Sequence, residues 1–205
     1  VILEMQTNGI TLQTSDLEIM SKELEHELEI LQSSIISFAG HEINVNSPSQ
    51  LSEVLFNELE LPKTKKTKTG YSTDANSLEF LKNTHPIIEQ ILNYRELSKL
   101  KSTYVDALPS MINPKTDRIH TSYNQTGSIT GRMSSSDPNL QNIPVRTERG
   151  RKVRSAFIAP DSDTILFAAD YSQIELRVLA HLSQDPGLLN AFHNGEDIHS
   201  STASL

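Results

Sequence analysis

The sequence contains no cysteine and no long apolar run, and these two absences limit the kind of protein it can be. Without cysteine, the chain can form neither disulfides nor metal sites built on thiolate ligands. No apolar run approaches the roughly 20 residues that a helix needs to span a bilayer, and the N-terminus carries no secretory signal. We therefore expect no membrane partner, and a chain without cysteine is compatible with the cytoplasm.

Familiar catalytic motifs are missing as well. The seven histidines include no H-E-x-x-H pair, and His181, His193 and His199 follow one another at spacings of 12 and 6 residues. The sequence therefore gives no indication of a zinc site. It also contains no G-x-S-x-G and no P-loop, so serine hydrolase and P-loop ATPase activities have no support.

The two ends of the sequence lead us to expect a piece of a longer protein. The first residue is Val1, and the last nine residues, DIHSSTASL, continue a helical pattern without a stop signal. A length of 205 residues suffices for one large domain or two small ones.

The net charge of −8 argues at first against a nucleic-acid partner, but its distribution argues for one. Residues 1–60 carry 11 acidic groups and one lysine, whereas residues 61–205 carry 17 basic and 15 acidic groups. Two basic clusters stand out, one of lysines at positions 63, 65, 66 and 68 and one of five basic residues between 146 and 154.

Hydrophobic periodicity predicts helices in the first half of the chain and a mixture of strands and helices in the second. The predicted helices cover residues 16–38, 48–61, 74–82 and 86–108. Strands are predicted at 118–125, 153–158 and 164–169, and helices return after Asp170. We therefore predict an α+β fold with a helical region at 1–113 and a mixed region at 114–205.

Asp170 is the most informative single residue, because it ends the apolar run 164–169 next to a helix start. A carboxylate in that position is a typical ligand for a hard cation such as Mg²⁺, and two such ions can clamp the attacking and leaving oxygens of a phosphoryl transfer. One aspartate cannot hold two ions, and the residues alone also allow Asp170 to cap the next helix. Ser172 and Glu175 similarly fit the helix capping box S-x-x-E.

The stretch TGSITGRMSSSDPNLQNIPVR combines turns with side chains that suit contacts to DNA. Guanidinium and amide groups hydrogen-bond to base edges and phosphates, and such groups occur here at Arg132, Asn139, Gln141, Asn142 and Arg146. Minor-groove acceptors lie in similar places in every base pair, so donors here would test pair geometry without reading sequence. A polar surface loop is the simpler alternative.

The two basic clusters also have simple and functional interpretations. Lys63, Lys65, Lys66 and Lys68 would bind phosphates with an affinity that depends on salt, or they would form a solvated loop. The cluster from Arg146 to Arg154 would meet a triphosphate or a template backbone, or it would protect an edge strand from pairing.

Four segments resemble family A DNA polymerases, the DNA polymerase I type, in the order in which that family has them. LPKTKKTKTGYSTDA (61–75) is similar to the tip of the thumb, and HPIIEQILNYRELSKLKSTYVDALP (85–109) to the long thumb helix. Residues 118–160 resemble the first palm block, and DYSQIELRVLAHLSQDPGLLNAFHNGEDIHSSTA (170–203) resembles the catalytic palm strand and the helices after it. The acidic first 60 residues are the weaker part of the match.

The resemblance implies a role for each matched position. Asp170 would be a catalytic, metal-binding aspartate, with the backbone carbonyl of Tyr171 as a further ligand, and Glu175 would be the steric gate that crowds a ribonucleotide 2′-OH. Primer–template DNA would be contacted by the lysines and by the polar side chains of the first palm block, namely Lys63, Lys65, Lys66, Lys68, Arg132, Asn139, Gln141 and Asn142. His199 and Arg146 would serve the incoming nucleotide.

The resemblance further implies a DNA-directed DNA polymerase that uses two Mg²⁺ ions, primer–template DNA and deoxynucleoside triphosphates. We expect a monomeric bacterial protein of the cytoplasm, associated with the nucleoid and active in replication or repair. Met133 stands where the family usually has leucine, a volume-conserving change. The family's triphosphate-binding fingers helix and its second catalytic aspartate are not within residues 1–205, so we expect the chain alone to be inactive. A noncatalytic primer–template binding module and a single-subunit RNA polymerase are the alternatives.

Overall fold

A computed structural model describes residues 1–68 and 70–198 of the chain. It divides into two compact units, Val1–Ile165 and Leu166–Leu205. The predicted boundary between residues 113 and 114 separates a thumb-like region from a palm-like region. This division remains a prediction.

The first unit is mainly helical, as the periodicity predicts. Its α-helices are α1 (Ile2–Asn8), α2 (Thr14–Ala39), α3 (Pro48–Glu53), α4 (Ala75–Glu79), α5 (Pro86–Leu100), α6 (Ala107–Ser110) and α7 (Glu148–Ser155). Two of them continue into π-helical turns, α3 into Val54–Glu58 and α5 into Lys101–Val105.

Local chemistry explains where these helices begin and end. Ser47 caps α3 by accepting a hydrogen bond from the Gln50 N–H, and Pro48 occupies the first turn, where no donor is needed. His85 and Pro86 begin α5 in the same way. The long helix α2 ends at Gly40, whose φ of 80° lies in the left-handed region that glycine adopts without strain.

The buried side chains of the first unit form two clusters along the contact between α2 and α5. One cluster joins Leu17 and Leu24 of α2 to Leu97 of α5, and it also takes in Ile119 and Val153 from later in the chain. The other surrounds the end of α2 and the start of α5 and consists of Ile35, Leu51, Leu55, Leu78, Ile87, Ile88, Ile91 and their neighbours. Residues 119–156 thus share a core with the N-terminal helices.

Short antiparallel strand pairs complete the first unit and confirm the α+β class. Among the described residues, β1 (Thr11–Leu12) pairs with β6 (Phe157–Ile158), β2 (Lys66–Thr67) with β3 (Gly70–Tyr71), and β4 (Ser122–Asn124) with β5 (Ser134–Ser136). The register places Thr11 opposite Ile158, Lys66 opposite Tyr71 and Ser122 opposite Ser136. Strand β4 lies within the stretch 118–125 that alternation predicts.

The prediction of a strand at 153–158 is mostly wrong, because residues 148–155 form α7. Thr147 caps this helix through the Gly150 N–H, and Glu148 lies in its first turn, where a negative charge is favourable. Gly150 and Val153, three residues apart, face the core, while the arginines and lysine face water. Only Phe157 and Ile158 are extended. The cluster from Arg146 to Arg154 is therefore not an edge strand.

The second unit contains α8 (Ile174–Ser183) and α9 (Pro186–His193). Asp185 caps α9 through the Leu188 N–H, with Pro186 in the first turn. None of the described helices, in either unit, combines the length and hydropathy of a transmembrane span.

The apolar segment 164–169 was predicted to be a buried strand, and this prediction is wrong. Ile165 is 84% exposed and Phe167 85% exposed, and no strand of residues 1–68 and 70–198 pairs with the segment. An isolated strand cannot satisfy its backbone hydrogen bonds or bury its side chains. An alternating or apolar sequence is therefore not sufficient for this segment to form a strand.

Candidate nucleic-acid interface and catalytic segment

The lysine cluster lies on a β-hairpin rather than on an irregular loop. Strands β2 and β3 pair around positions 66–71 and leave the side chains of Lys63, Lys65, Lys66 and Lys68 exposed. We call residues 63–68 and 70–72 the lysine hairpin. Hydrophobic periodicity could not predict it, because its strands are only two residues long and face water.

Several contacts attach the lysine hairpin to the helices beneath it. The Tyr71 ring lies edge-on against Phe56, with centroids 5.4 Å apart, and the Tyr71 N–H donates to Ser52 Oγ over 3.0 Å. Lys63 Nζ lies 5.3 Å from the centroid of the same tyrosine ring, in cation–π contact. Gly70 has a φ of 137° and a Cβ there would lie 2.7 Å from Ser52 Oγ, so only glycine allows this approach.

Arg95 of α5 holds the base of the lysine hairpin and was missed by the sequence analysis. Its guanidinium donates to the backbone carbonyl of Thr73 and, over 3.4 Å, to Thr73 Oγ1. Burial lowers the pKa of Arg95, and the charge of Asp74 opposes that shift. The two partners are 22 residues apart in sequence, and no local pattern indicates that they meet.

The predicted DNA-contacting amides lie together on the exposed loop that follows β5. Asn139, Gln141 and Asn142 are all exposed. Asn139 Oδ1 accepts from the Gln141 N–H over 3.0 Å, and Gln141 Nε2 donates to the Met133 carbonyl over 3.2 Å. The structure therefore brings these three amides together. Arg132, also exposed, is one residue before Met133.

A groove of about 830 Å³ runs beside these amides in the first unit. Asn139 and Asn142 line it from the loop after β5, and Glu96, Lys99 and Thr103 line it from α5 and the π-helical turn that follows. Lys99 adds a positive charge to the lining, and helical periodicity marks it only as a solvent-facing position. The groove thus combines amide side chains with charged side chains of both signs.

The cluster from Arg146 to Arg154 is partly occupied by structural contacts. Arg149 Nη2 forms an ion pair of 2.5 Å with Glu27 Oε2 of α2, and Arg151 Nη1 donates to the Arg146 carbonyl over 2.9 Å. The Arg146 side chain is exposed. Arg149 therefore secures α7 to α2, which reduces the number of basic groups available to a phosphate.

The second unit carries Asp170, Tyr171 and Glu175 on its surface. Asp170 precedes the helix without capping it, since α8 begins at Ile174 with Gln173 in the N-cap position. Gln173 has φ 52° and ψ 36°, and its side chain makes no cap hydrogen bond. Because Ser172 is not at the N-cap, the capping box predicted from S-x-x-E does not form. The helix-capping explanation for Asp170 is thus removed.

The rest of this segment is held by Arg177. Its Nε donates to the Ser172 carbonyl over 2.9 Å, and its guanidinium lies 4.6 Å from the centroid of the Phe192 ring. Arg177 therefore ties the residues after Asp170 to both helices of the unit. His199, the predicted nucleotide contact, lies outside the described residues.

A divalent cation would find only part of its ligands here. Asp170 offers carboxylate oxygens and Tyr171 a backbone carbonyl, which are the oxygen ligands that Mg²⁺ prefers. Within residues 1–68 and 70–198, no group of three histidines, aspartates or glutamates lies close enough together to hold a metal ion. Asp170 and Tyr171 thus fit a metal that takes its other ligands from waters and substrate phosphates.

Comparisons with known proteins agree with this set of features. The model of DNA polymerase family A matches residues 14–205, so the chain belongs to that family, whose members generally use divalent metal ions. The chain is 51% identical over 203 residues to DNA polymerase I of Geobacillus stearothermophilus, covering 99% of this chain and 23% of that protein. It is 54% identical over 206 residues to the thermostable DNA polymerase I of Thermus aquaticus, covering 100% and 25%.

A solved structure gives the same result for the fold. The POL domain of Pol1 from M. smegmatis, in complex with DNA primer-template and dNTP, matches with a TM-score of 0.89 and 47% identity over 99% of this chain and 36% of that chain. The chain spans about a quarter of the length of the curated relatives it matches. The similarity to polymerases implied by its motifs is thus confirmed, and the roles of single residues remain predictions.

Proposed function

We propose that this chain supplies the primer–template binding surface and one catalytic carboxylate of a DNA-directed DNA polymerase. In the reaction, the primer 3′-hydroxyl gives up its proton to solvent and its oxygen attacks the α-phosphate of a deoxynucleoside triphosphate. A new P–O bond forms, the bond between the α-phosphorus and the bridging oxygen to the β-phosphate breaks, and pyrophosphate leaves. The observation that carries the proposal is the set of exposed amides at positions 139, 141 and 142, of which Asn139 and Asn142 line a groove, in a fold with a TM-score of 0.89 to a polymerase domain.

The lysine hairpin supplies the part of the affinity that does not depend on sequence. Its exposed lysines carry positive charge on a strand pair that Ser52, Phe56 and Arg95 hold in place. Lysines that meet DNA phosphates release bound counterions, so binding weakens steeply with salt. We assign this role to Lys63, Lys65, Lys66 and Lys68.

The amides and Arg132 test the geometry of the primer end. The minor-groove acceptors of a correct base pair occupy nearly the same positions whatever the sequence, and donors held at fixed places bind them only when the pair is well formed. Asn139, Gln141, Asn142 and Arg132 are suited to this because their side chains are exposed on one loop system.

Asp170 and the Tyr171 carbonyl would hold Mg²⁺, with two ions serving the complete centre. When bound, the metal lowers the barrier by stabilising negative charge on the reacting phosphate oxygens. The exposure of Asp170 and the absence of a helix-capping task leave its oxygens open to such a role.

Glu175, which lies in the first turn of α8, would select deoxyribonucleotides by crowding a 2′-OH, the role that the resemblance to family A polymerases implies. Arg146 and His199 would contact the triphosphate. In the full-length polymerase, Glu175→Ala should raise the ratio of ribonucleotide to deoxyribonucleotide incorporation in primer-extension assays. An unchanged ratio would remove the gate role, and Glu196→Ala, a change in the same unit, serves as the control.

The chain alone should bind primer–template DNA without extending it, because the resemblance places the second catalytic aspartate and the triphosphate-binding helix outside residues 1–205. Fluorescence anisotropy with a labelled primer–template at two salt concentrations tests binding. Absence of binding at low salt contradicts the proposal, and so does extension of the primer when Mg²⁺ and the four deoxynucleotides are added. The alternative of a noncatalytic DNA-binding module has the same binding behaviour, and it would be favoured if the full-length protein failed to extend a primer.

A further inference from the structure

The loop that carries the amides is fastened from within by two buried hydroxyl groups. Thr121, just before β4, is only 6% exposed, and Ser135, in β5, only 3%. Their hydroxyl oxygens lie 2.7 Å apart. Thr121 Oγ1 also lies 2.8 Å from the Pro138 carbonyl and 3.1 Å from the Ser136 carbonyl.

Both hydroxyls contact the backbone around Asn139. Each hydroxyl has one hydrogen to donate and two lone pairs. The Leu140 N–H donates to Ser135 Oγ over 3.1 Å, and Ser135 Oγ lies 3.2 Å from the Pro138 carbonyl. The two hydroxyls have two hydrogens between them, and either can donate to the Pro138 carbonyl while Ser135 Oγ accepts from the Leu140 N–H. In those arrangements the backbone on either side of Asn139 is held.

A third hydroxyl holds the other end of the amide run. The Tyr104 hydroxyl donates to the Asn142 carbonyl over 2.5 Å. Tyr104 lies in the π-helical turn after α5 and is 7% exposed. A tyrosine hydroxyl is protonated at neutral pH and able to donate, and burial raises the pKa of Tyr104 further.

We propose that Thr121, Ser135 and Tyr104 are positioning residues that fix Asn139, Gln141 and Asn142 for the minor-groove face of the primer end. This inference rests on the proposed function, and it names the hydroxyl groups that hold the three amides in fixed positions. Interactions with DNA that depend on the exact placement of a donor require such support, because a loop that moves also accommodates a distorted pair. The lysine hairpin is held by different residues and does not depend on this frame.

The inference predicts a particular pattern of effects. Loss of the frame should weaken binding to a correctly paired primer end, while the dependence of binding on salt, which the lysines set, stays the same. The preference for a paired over a 3′-mispaired primer end should fall roughly tenfold, because buried groups of the loop lose their partners.

The test compares three variants of the 205-residue chain by fluorescence anisotropy on paired and 3′-mispaired primer–templates. Thr121→Val removes the hydroxyl and keeps the shape, Thr121→Ser keeps the hydroxyl, and Ser122→Ala changes an exposed neighbour. We expect Thr121→Val to lose the preference for the paired end, and Thr121→Ser and Ser122→Ala to keep it. Equal preference in Thr121→Val and the unmodified chain overturns the inference, as does an unmodified chain that binds both ends equally well.

Tyr104→Phe provides a second route to the same answer in case Thr121→Val does not fold. It removes one oxygen from the opposite side of the loop, and thermal melting verifies that each variant is folded. A folded Tyr104→Phe variant that keeps the full preference contradicts the assignment of Tyr104. If the unmodified chain binds neither DNA at low salt, the proposed function itself fails, which distinguishes that result from failure of the positioning inference alone.

Discussion

Lys101 Nζ lies 2.8 Å from Asp106 Oδ2, across the π-helical turn that follows α5. Ser21 of α2 joins this pair, since its hydroxyl donates to Asp106 Oδ1 over 2.7 Å and accepts from Lys101 over 3.0 Å. The lysine side chain is only 17% exposed. The contact therefore fixes the turn that carries Tyr104 and joins it to the longest helix of the chain.

Asp106→Asn should lower the free energy of unfolding by about 1 kcal/mol, which is the upper range for partly exposed ion pairs. The reason is that Lys101 keeps its charge and loses its counter-ion, whereas the amide still accepts one hydrogen bond. Urea unfolding followed by circular dichroism measures the difference. Asp117→Asn, at another exposed aspartate, should change stability by much less. Equal effects of the two substitutions would show that the ion pair of Lys101 and Asp106 does not stabilise the chain.

The same pair gives stability a defined dependence on pH. Burial raises the pKa of Asp106, but hydrogen bonds from Lys101 and Ser21 and the charge of Lys101 outweigh it, so that the pKa in the folded chain is lowered. The contribution to stability is therefore present above the unfolded-state pKa of about 3.9 and is lost as the pH falls through the folded-state pKa. The stability gap between the unmodified chain and Asp106→Asn should accordingly close in acid.

His41 and Glu58 should show the opposite dependence. His41 Nδ1 lies 2.9 Å from the Glu42 carbonyl, and Nε2 lies 2.8 Å from Glu58 Oε2. The Glu42 carbonyl, followed by the hydrogen bond and charge of Glu58, raises the pKa of His41. The contribution is present in full below the unfolded-state pKa of about 6.5 and disappears as the pH rises through the folded-state pKa.

The measurement for this second pair is the stability difference between the unmodified chain and Glu58→Gln across pH 5–9, a range that brackets the histidine titration. We expect a difference at low pH that vanishes at high pH. His26→Gln, at an exposed histidine of α2, is the control for the loss of a histidine that does not contact Glu58. A difference that stays constant over the whole range would contradict the role of the protonated His41.

The helices α2, α3, α4 and α5 could be predicted from the sequence because their causes are local, whereas α1 and α7 were not predicted. Ser47, His85 and Gly40 mark ends that short-range hydrogen bonds and backbone preferences determine. The strand at 153–158 was wrong because Thr147 and Glu148 favour a helix that alternation alone does not reveal. The contact between Arg95 and Thr73 and the hydroxyl pair of Thr121 and Ser135 join residues 22 and 14 positions apart, and only the tertiary fold determines such contacts.

Some features of the candidate site could likewise be predicted from the sequence, and others depend on the tertiary fold. The types of side chain at Asn139, Gln141 and Asn142 predict an interface with DNA, and the structure places all three on one exposed loop, with Asn139 and Asn142 lining a groove. For Asp170 the sequence left a capping role open, and the position of Gln173 at the start of α8 removes it. The exposure of segment 164–169 could not be predicted, because an apolar run does not reveal whether other strands lie beside it.

The core between α2 and α5 offers a matched pair of substitutions on one helix. Ile35 is fully buried and Ile30 is 57% exposed, and both belong to α2. Ile35→Ala should destabilise the chain by about 2–5 kcal/mol, because it removes buried surface and leaves a cavity. Ile30→Ala should have a small effect, within about 0.5 kcal/mol. Chemical unfolding measures both, and similar effects would contradict the packing of α2 in the second cluster of buried residues.

The lysine hairpin makes a quantitative prediction for DNA binding. If Lys66 and Lys68 each neutralise one phosphate, the double substitution Lys66→Gln and Lys68→Gln should reduce the slope of log K against log salt by about 1.8, at about 0.9 for each contact on duplex DNA. Anisotropy titrations with primer–template at several salt concentrations give this slope. Lys82→Gln is the control, because that lysine pairs with Glu79 over 3.1 Å. A slope that the double substitution leaves unchanged would remove the hairpin from the interface, while an equal loss in Lys82→Gln would indicate that net charge alone governs binding.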